Sequence, residues 1–187
     1  MEGLIVLGVV VVILAVIVAG LYNSLVSARQ HVRESWSGVD TELQRRHDLI
    51  PNLVNTVKGY MTHERELLEQ VTALREEAER LRPGEATAEQ LDVESRLAGA
   101  LGQISVRMEA YPDLKASENF SNLQSELANT EDRVQAALRF YNGNVRELNT
   151  KVESVPTNFI AGMFNFKKAQ YFELKNEAAR EVPQVSF

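Results

Sequence analysis

Residues 36–81 read "WSGVDTELQRRHDLIPNLVNTVKGYMTHERELLEQVTALREEAERL", and the spacing of apolar side chains in this stretch decides the fold class. Trp36, Leu43, Ile50, Val57, Glu64, Val71 and Ala78 recur at heptad intervals. Three residues behind them run Val39, Arg46, Leu53, Tyr60, Leu67, Leu74 and Leu81. All but Arg46 and Glu64 suit a helix-packing seam. The register passes through Pro51 without a slip, so the spacing predicts one long helix, bent at the proline rather than ended there. A proline inside a helix still removes a backbone donor and crowds the carbonyl four residues earlier. The helix is expected to stop at Pro83-Gly84.

Two further stripes follow. Thr87 with Gln90 has the form of a capping box. Leu91, Ala98, Leu101, Ile104 or Ser105, Met108 and Tyr111 continue it as a second helix, interrupted at Tyr111-Pro112-Asp113. Phe120, Leu123, Leu127, Thr130, Val134, Ala137 or Leu138, Tyr141, Val145, Leu148 and Val152 give a third, closed by Ser154-Val155-Pro156. No run alternates with period two for long enough to argue a strand. The expected class is all-α: three long helices in an antiparallel bundle, with a short helical element at the C-terminal end. Reversal at Pro112 is favoured over a kink, because a proline with its own polar start signal marks a turn. On that reading the second helix covers only the distal half of the first. The stretch from Trp36 to Leu53 then needs another cover, either the C-terminal element, a longer return path or neighbouring subunits.

Upstream, no charged residue occurs from Gly3 to Ala28, and Leu4 to Tyr22 is apolar or glycine throughout. As a helix this run spans about 28 Å, enough to cross the hydrocarbon core of a bilayer once. The short Met1-Glu2-Gly3 start and the length of the run argue for a retained anchor rather than a cleaved signal. Arg29, Arg33, Arg45 and Arg46 follow the span and no Lys or Arg precedes it, which places the N-terminus outside and the bundle in the cytoplasm. The expected division is an anchor over 1–28, a cytoplasmic bundle over 29–165, and an aromatic and polar tail over 166–187, of which the polar part beyond Phe172 is expected to be poorly ordered. Gly20, Ser24 and Ala28 give the anchor a small-residue face for self-association, which Trp36, Val39, Leu43 and Ile50 extend beyond the membrane.

The charge of −6 and pI near 5.2 give no general attraction to phosphate backbones, so nucleic acid is not an expected partner. Without cysteine, disulfides, thiolate metal sites and a cysteine nucleophile are excluded. His31, His47 and His63 are spaced so that successive side chains rotate by about 160° around a helix, which prevents convergence on one metal. His63-Glu64 begins like a zinc-protease motif, but Leu67 stands where the second histidine belongs. No glycine-rich phosphate loop or serine elbow is present. No catalytic, cofactor or metal residue is therefore assigned.

Two features invite closer reading. Arg46 and Glu64 either pack their stems and reach the bundle edge, or form a buried polar layer with an acidic partner such as Glu126 or Glu131. Arg45, Arg46, Asp48 and Pro51 would shape the first helix, the proline bending it and the arginines finding carboxylates on the bundle or another subunit. Near the end, Phe159, Ile160, Met163, Phe164 and Phe166 form an apolar patch followed by lysines. It either caps the bundle or meets a partner protein or the membrane surface.

Four stretches together resemble the LemA family of bacterial membrane proteins: "YNSLVSARQHVRESWSGVDTELQRRHDLIPNLVNTVKGYMTHE", "YPDLKASENFSNLQSELANTEDRV", "RFYNGNVRELN" and "PTNFIAGMFNF". They occur in the family's order over nearly the whole chain, with Ser117 where the family pattern has asparagine. The resemblance implies a cytoplasmic helical bundle on a single inner-membrane anchor, with no established enzymatic activity. It also implies association with membrane proteases of the HtpX type and a relative in magnetosome membranes. The expected function is a non-enzymatic scaffold that self-associates as a homo-oligomer and organises membrane or envelope proteins. The alternative is a monomeric adaptor for a membrane protease, with the Phe159 to Phe166 patch as its docking surface.

Overall fold

The apolar run that begins at Leu4 does not hand over to a loop: the helix it starts, α1, runs from Glu2 to Lys58 without interruption. The computed structural model describes residues 1–61, 63–82, 84 and 86–172. After α1 come α2 (Arg65–Leu81), α3 (Ala88–Arg107), a short 3-10 turn, α4 (Pro112–Lys115), α5 (Glu118–Glu153) and α6 (Thr157–Met163). No strand occurs among the described residues. The protein is all-α, as the periodicity requires.

Pro51 lies inside α1, as its unbroken register predicts. The expected single helix over 36–81 is nevertheless corrected: it ends at Lys58 and restarts at Arg65. Gly59 is a poor helix former, and the chain folds back there through backbone bonds from Tyr60 and Met61 to the Val57 carbonyl, at 2.9 and 2.8 Å. Met61 takes the interior place expected for Tyr60, which is exposed. A seven-residue period therefore persists across a hairpin, because both arms bury the same kind of stripe. The expectation of three long helices becomes four helical arms on this account.

The chain forms two compact units, one of Met1–Trp36 with Arg139–Tyr171, the other of Ser37–Leu138 with Phe172. In the second unit the ion pairs fix the directions. Arg82 near the end of α2 reaches back to Asp40, and Arg75 to the His47 carbonyl, so α2 runs antiparallel to α1. Glu94 early in α3 meets Arg46 while Arg107 at its end meets Glu64, so α3 runs parallel to α1. Phe120 packs with the residues around Met61, Met108 and Leu114, whereas Glu131 returns to Arg46, so α5 descends again. The chain thus reverses at Pro112, where α4 carries the proline in its first turn. Ile50, Leu53, Val57, Leu67, Leu68, Val71, Leu74, Val93, Leu97 and Ile104 form the continuous core of this up-down-up-down bundle.

Local signals agree with these bounds. Thr87 caps α3 by accepting the Gln90 backbone N–H at 3.1 Å, though the Gln90 side chain turns into the core instead of reaching back. The stripe of α3 accordingly falls on Gln90, Val93, Glu94, Leu97, Ala100, Ile104 and Met108, a rotation from the apolar positions expected. Beyond α2, Gly84 has φ +121°, a conformation that excludes a side chain at little cost only for glycine.

In the first unit, the upper part of α1 pairs antiparallel with the end of α5. Trp36 meets Tyr141 with ring centroids 5.3 Å apart, and Val152 packs on the cluster of Leu25, Ile160, Ala161 and Phe166. Past α6 the chain is held over residues 166–171. Asn149 accepts the Ala169 N–H at 2.8 Å and donates to its carbonyl at 3.0 Å, and the Tyr141 hydroxyl donates to the Gln170 carbonyl at 2.9 Å. Phe172 is buried. The polar tail beyond Phe172, expected to be poorly ordered, lies outside the described residues.

Candidate functional site

Arg46 is the residue whose placement the sequence left open, and the structure buries it: its side chain is 2% exposed. A guanidinium cannot be dehydrated without compensation, and compensation comes from two helices. One terminal nitrogen donates to Glu94 of α3 and the other, at 3.1 Å, to Glu131 of α5. His47, beside it on α1, is fully buried and places Nε2 3.0 Å from the other Glu94 oxygen. Gln135 donates to Glu131 at 2.8 Å and orients it. The result is a polar layer crossing the bundle from α1 to α3 and α5, with the Gln90 side chain buried nearby and without a hydrogen bond among the described residues.

The electrostatics of this layer keep Glu94 ionised. Burial pushes its carboxyl upward, but the hydrogen bond from His47 and the positive charge of Arg46 outweigh it, so the group lies below the ordinary carboxylate range. A carboxylate held by a guanidinium and an imidazole fixes the azimuth and axial register of the arms that carry them. Glu94 is 0% exposed, so this charge has no route to a substrate. Its chemistry is positional.

The other expected residues divide clearly. Glu131 joins the layer, whereas Glu126 is exposed. Glu64 stands at the start of α2 and pairs with Arg107 rather than entering a layer. Arg45 is exposed and pairs within its own helix with Glu42 at 3.4 Å, and Asp48 accepts from Gln44 at 2.6 Å. Pro51 acts through what it lacks. Without an N–H it leaves the His47 carbonyl unpaired in the helix, and Arg75 Nε of α2 donates to that oxygen at 2.9 Å. The proline thereby converts a helix-internal bond into a tie between helices.

The expected self-association face is largely used within the chain. Trp36, Val39, Leu43 and Ile50 are buried, as is Ala28; Ser24 is half-buried and Gly20 exposed. Trp36 meets Tyr141 of α5, and Ile50 lies in the core of the second unit. Sequence reasoning did not reach Glu94, and it weighed His47 only as a metal ligand and Gln90 only as part of a cap. The adjacency of His47 to a seam arginine was the available signal, and the polar character of Glu94 and Gln90 disguised their inward positions.

The C-terminal aromatic element separates into two sides. Ile160 and Phe166 are buried with Ala161 against Leu21, Tyr22, Leu25 and Val26. Tyr22 meets Phe164 at 4.8 Å and Phe166 at 5.8 Å between ring centroids, and the Arg29 guanidinium lies 4.9 Å from the Phe166 centroid. Phe159, Met163 and Phe164 are exposed. Ile160 and Phe166 thus pack on α1, while Phe159 and Met163 face outward. Among the described residues no group of histidines and carboxylates is arranged to hold a metal ion.

Comparison with known proteins agrees with this architecture. The model of the LemA family matches residues 35–187. Protein LemA of Metamycoplasma hominis is 23% identical, over 82% of this chain and 69% of its own length. Magnetosome protein MamQ 2 of Paramagnetospirillum magneticum is also 23% identical, and Magnetosome protein MamQ of Magnetospirillum gryphiswaldense is 21% identical. Each is matched over 82% of this chain and 65% of its own length, so the chain spans less than two thirds of these magnetosome proteins.

Proposed function

Because the chain belongs to the LemA family and its apolar N-terminal segment enters the bundle as one unbroken helix, we propose that it is a non-enzymatic membrane-anchored scaffold. The observation that carries this reading is α1 itself. Its apolar part has a mean hydropathy of 3.4 over an 18-residue window and is 0% buried, and no turn or linker follows before the side chains of the bundle core begin. The reading is supported by the polar layer, in which the buried charges of Arg46 and Glu94 pair with each other, and by the absence of an enzymatic activity in the names of the family and the relatives reported above. The protein serves to present the outer surface of a closed bundle beside the inner membrane, from the cytoplasmic side that the arginines after the span select.

Self-association is assigned to the anchor, since the soluble apolar face is covered within the chain. Gly20 has open space around its Cβ position, which permits a close helix approach. The test is the mass of the full chain in native lipid discs, by light scattering, against a variant whose residues 4–20 are replaced by leucine. An oligomer that collapses to single chains in the leucine variant supports the scaffold. Single chains from the native anchor refute self-association, and co-purification of a membrane protease at one copy per chain favours the adaptor.

A further inference from the structure

α6 is amphipathic in an unusual position. One side, Ile160 with Ala161, packs on Leu21, Tyr22, Leu25 and Val26 of α1. The other side carries Phe159 and Met163, one helical turn apart, at 68% and 73% exposure, and the flanking Val155 and Phe164, just outside the helix, are 74% and 49% exposed. Water is a poor medium for such a cluster. Depth identifies what replaces it. The apolar span of α1 ends at Tyr22, and a tyrosine at the end of a span belongs to the membrane–water interface. Phe164 stacks on that same tyrosine, so α6 lies at the level where the anchor leaves the hydrocarbon. Immediately beyond the patch, Lys167 is exposed and Lys168 pairs with Glu153 at 2.7 Å. Lysines flanking aromatic side chains suit a surface that is apolar on one side and carries phosphates on the other.

We infer that α6 is a second membrane contact, resting on the anchor reading: Val155, Phe159, Met163 and Phe164 enter the interface of the leaflet from which α1 emerges. The occupant is lipid. The patch is continuous with the apolar surface of the anchor through Tyr22 and Leu21, and the bilayer that surrounds the anchor reaches this depth in any case. Two contacts on one bilayer also restrict rotation and tilt of the first unit about the anchor axis, which a single span leaves to mismatch and packing.

The chain lacks cysteine, so single substitutions Phe159→Cys and Met163→Cys accept a fluorophore at one defined place each. The full-length variants are placed one chain per lipid disc, with Leu14→Cys as the control for anchor insertion and exposed Ala73→Cys in α2 as the aqueous control. The expected result is quenching by lipids spin-labelled near the headgroup, a depth of about 5–10 Å into the headgroup and acyl boundary, and protection from aqueous iodide relative to Ala73→Cys. Iodide access equal to that of Ala73→Cys overturns the inference. So does shielding from both quenchers, which would show that protein covers the patch. A label at Leu14 that lies deep while those at 159 and 163 stay in water refutes the second contact alone. A label at Leu14 that is not deep refutes the anchor and the contact together.

Discussion

Pro51 and Arg75 are predicted to be energetically coupled although neither side chain needs the other's charge. In the native helix the proline removes the donor that the His47 carbonyl would receive, and Arg75 Nε replaces it at 2.9 Å. A hydrogen bond from a charged donor contributes about 1.5–3 kcal/mol. Arg75→Ala therefore costs about 2 kcal/mol, leaving the buried His47 carbonyl without a partner. Pro51→Ala supplies an N–H in the ordinary helical position. It relieves a helix-interior proline, worth about 3 kcal/mol at most, less whatever Arg75 already recovers, for a net gain of about 1 kcal/mol. In the Pro51→Ala background, Arg75→Ala loses little beyond its partly buried pair with Glu79 within α2, about 0.5 kcal/mol. The coupling is thus about 1.5 kcal/mol. Urea unfolding of the four proteins in mild detergent, followed by far-UV circular dichroism, measures it. With a slope of about 1–3 kcal/mol/M, Arg75→Ala moves the midpoint by about 1 M in the native background and far less beside Ala at 51. Additivity within about 0.5 kcal/mol would refute the replacement of the missing donor by Arg75.

Glu94→Gln should cost about 3–5 kcal/mol, because it leaves the buried Arg46 with only the half-exposed Glu131. A loss below about 1 kcal/mol in the same denaturation assay would mean that the layer is not sealed. The same carboxyl sets a pH dependence. Its folded pKa is depressed below the ordinary 4.5, so its contribution to stability is complete above 4.5 and is lost as pH falls through the folded value. Urea midpoints should decline on acidification below 4.5, less steeply in Glu94→Gln; equal slopes would exclude Glu94 as a source. Asn149→Ala removes both bonds to Ala169, at about 1 kcal/mol each, and should speed amide exchange through residues 166–172 while sparing α2 and α3, as mass spectrometry would resolve.

Periodicity was a sound guide where one physical effect dominated. The inward stripe of α5 from Phe120 to Leu148 was legible because nearly every residue on it is apolar, and the apolar N-terminal part of α1 was legible because no charge interrupts Leu4 to Tyr22. The stripe of α3 was read rotated, since Gln90 and Glu94 point inward. That choice depends on Arg46, far away in sequence, which makes burial of a carboxylate favourable. The heptad of residues 36–81 was correctly seen, yet it does not distinguish one long helix from a hairpin whose arms share a core.

The sequence by itself determined the helical class, the long apolar N-terminal helix, the seam through Pro51 and the family, all of which follow from local spacing and composition. The tertiary structure alone decided that α1 ends at Lys58, that Glu131 rather than Glu126 meets Arg46, that Arg75 answers the missing donor of Pro51, and that Phe159 and Met163 face outward. Each of these is a choice among partners that local propensity leaves nearly equal in energy. Such choices are settled only when a buried charge, an unpaired carbonyl or an apolar face finds a partner brought near by the rest of the chain.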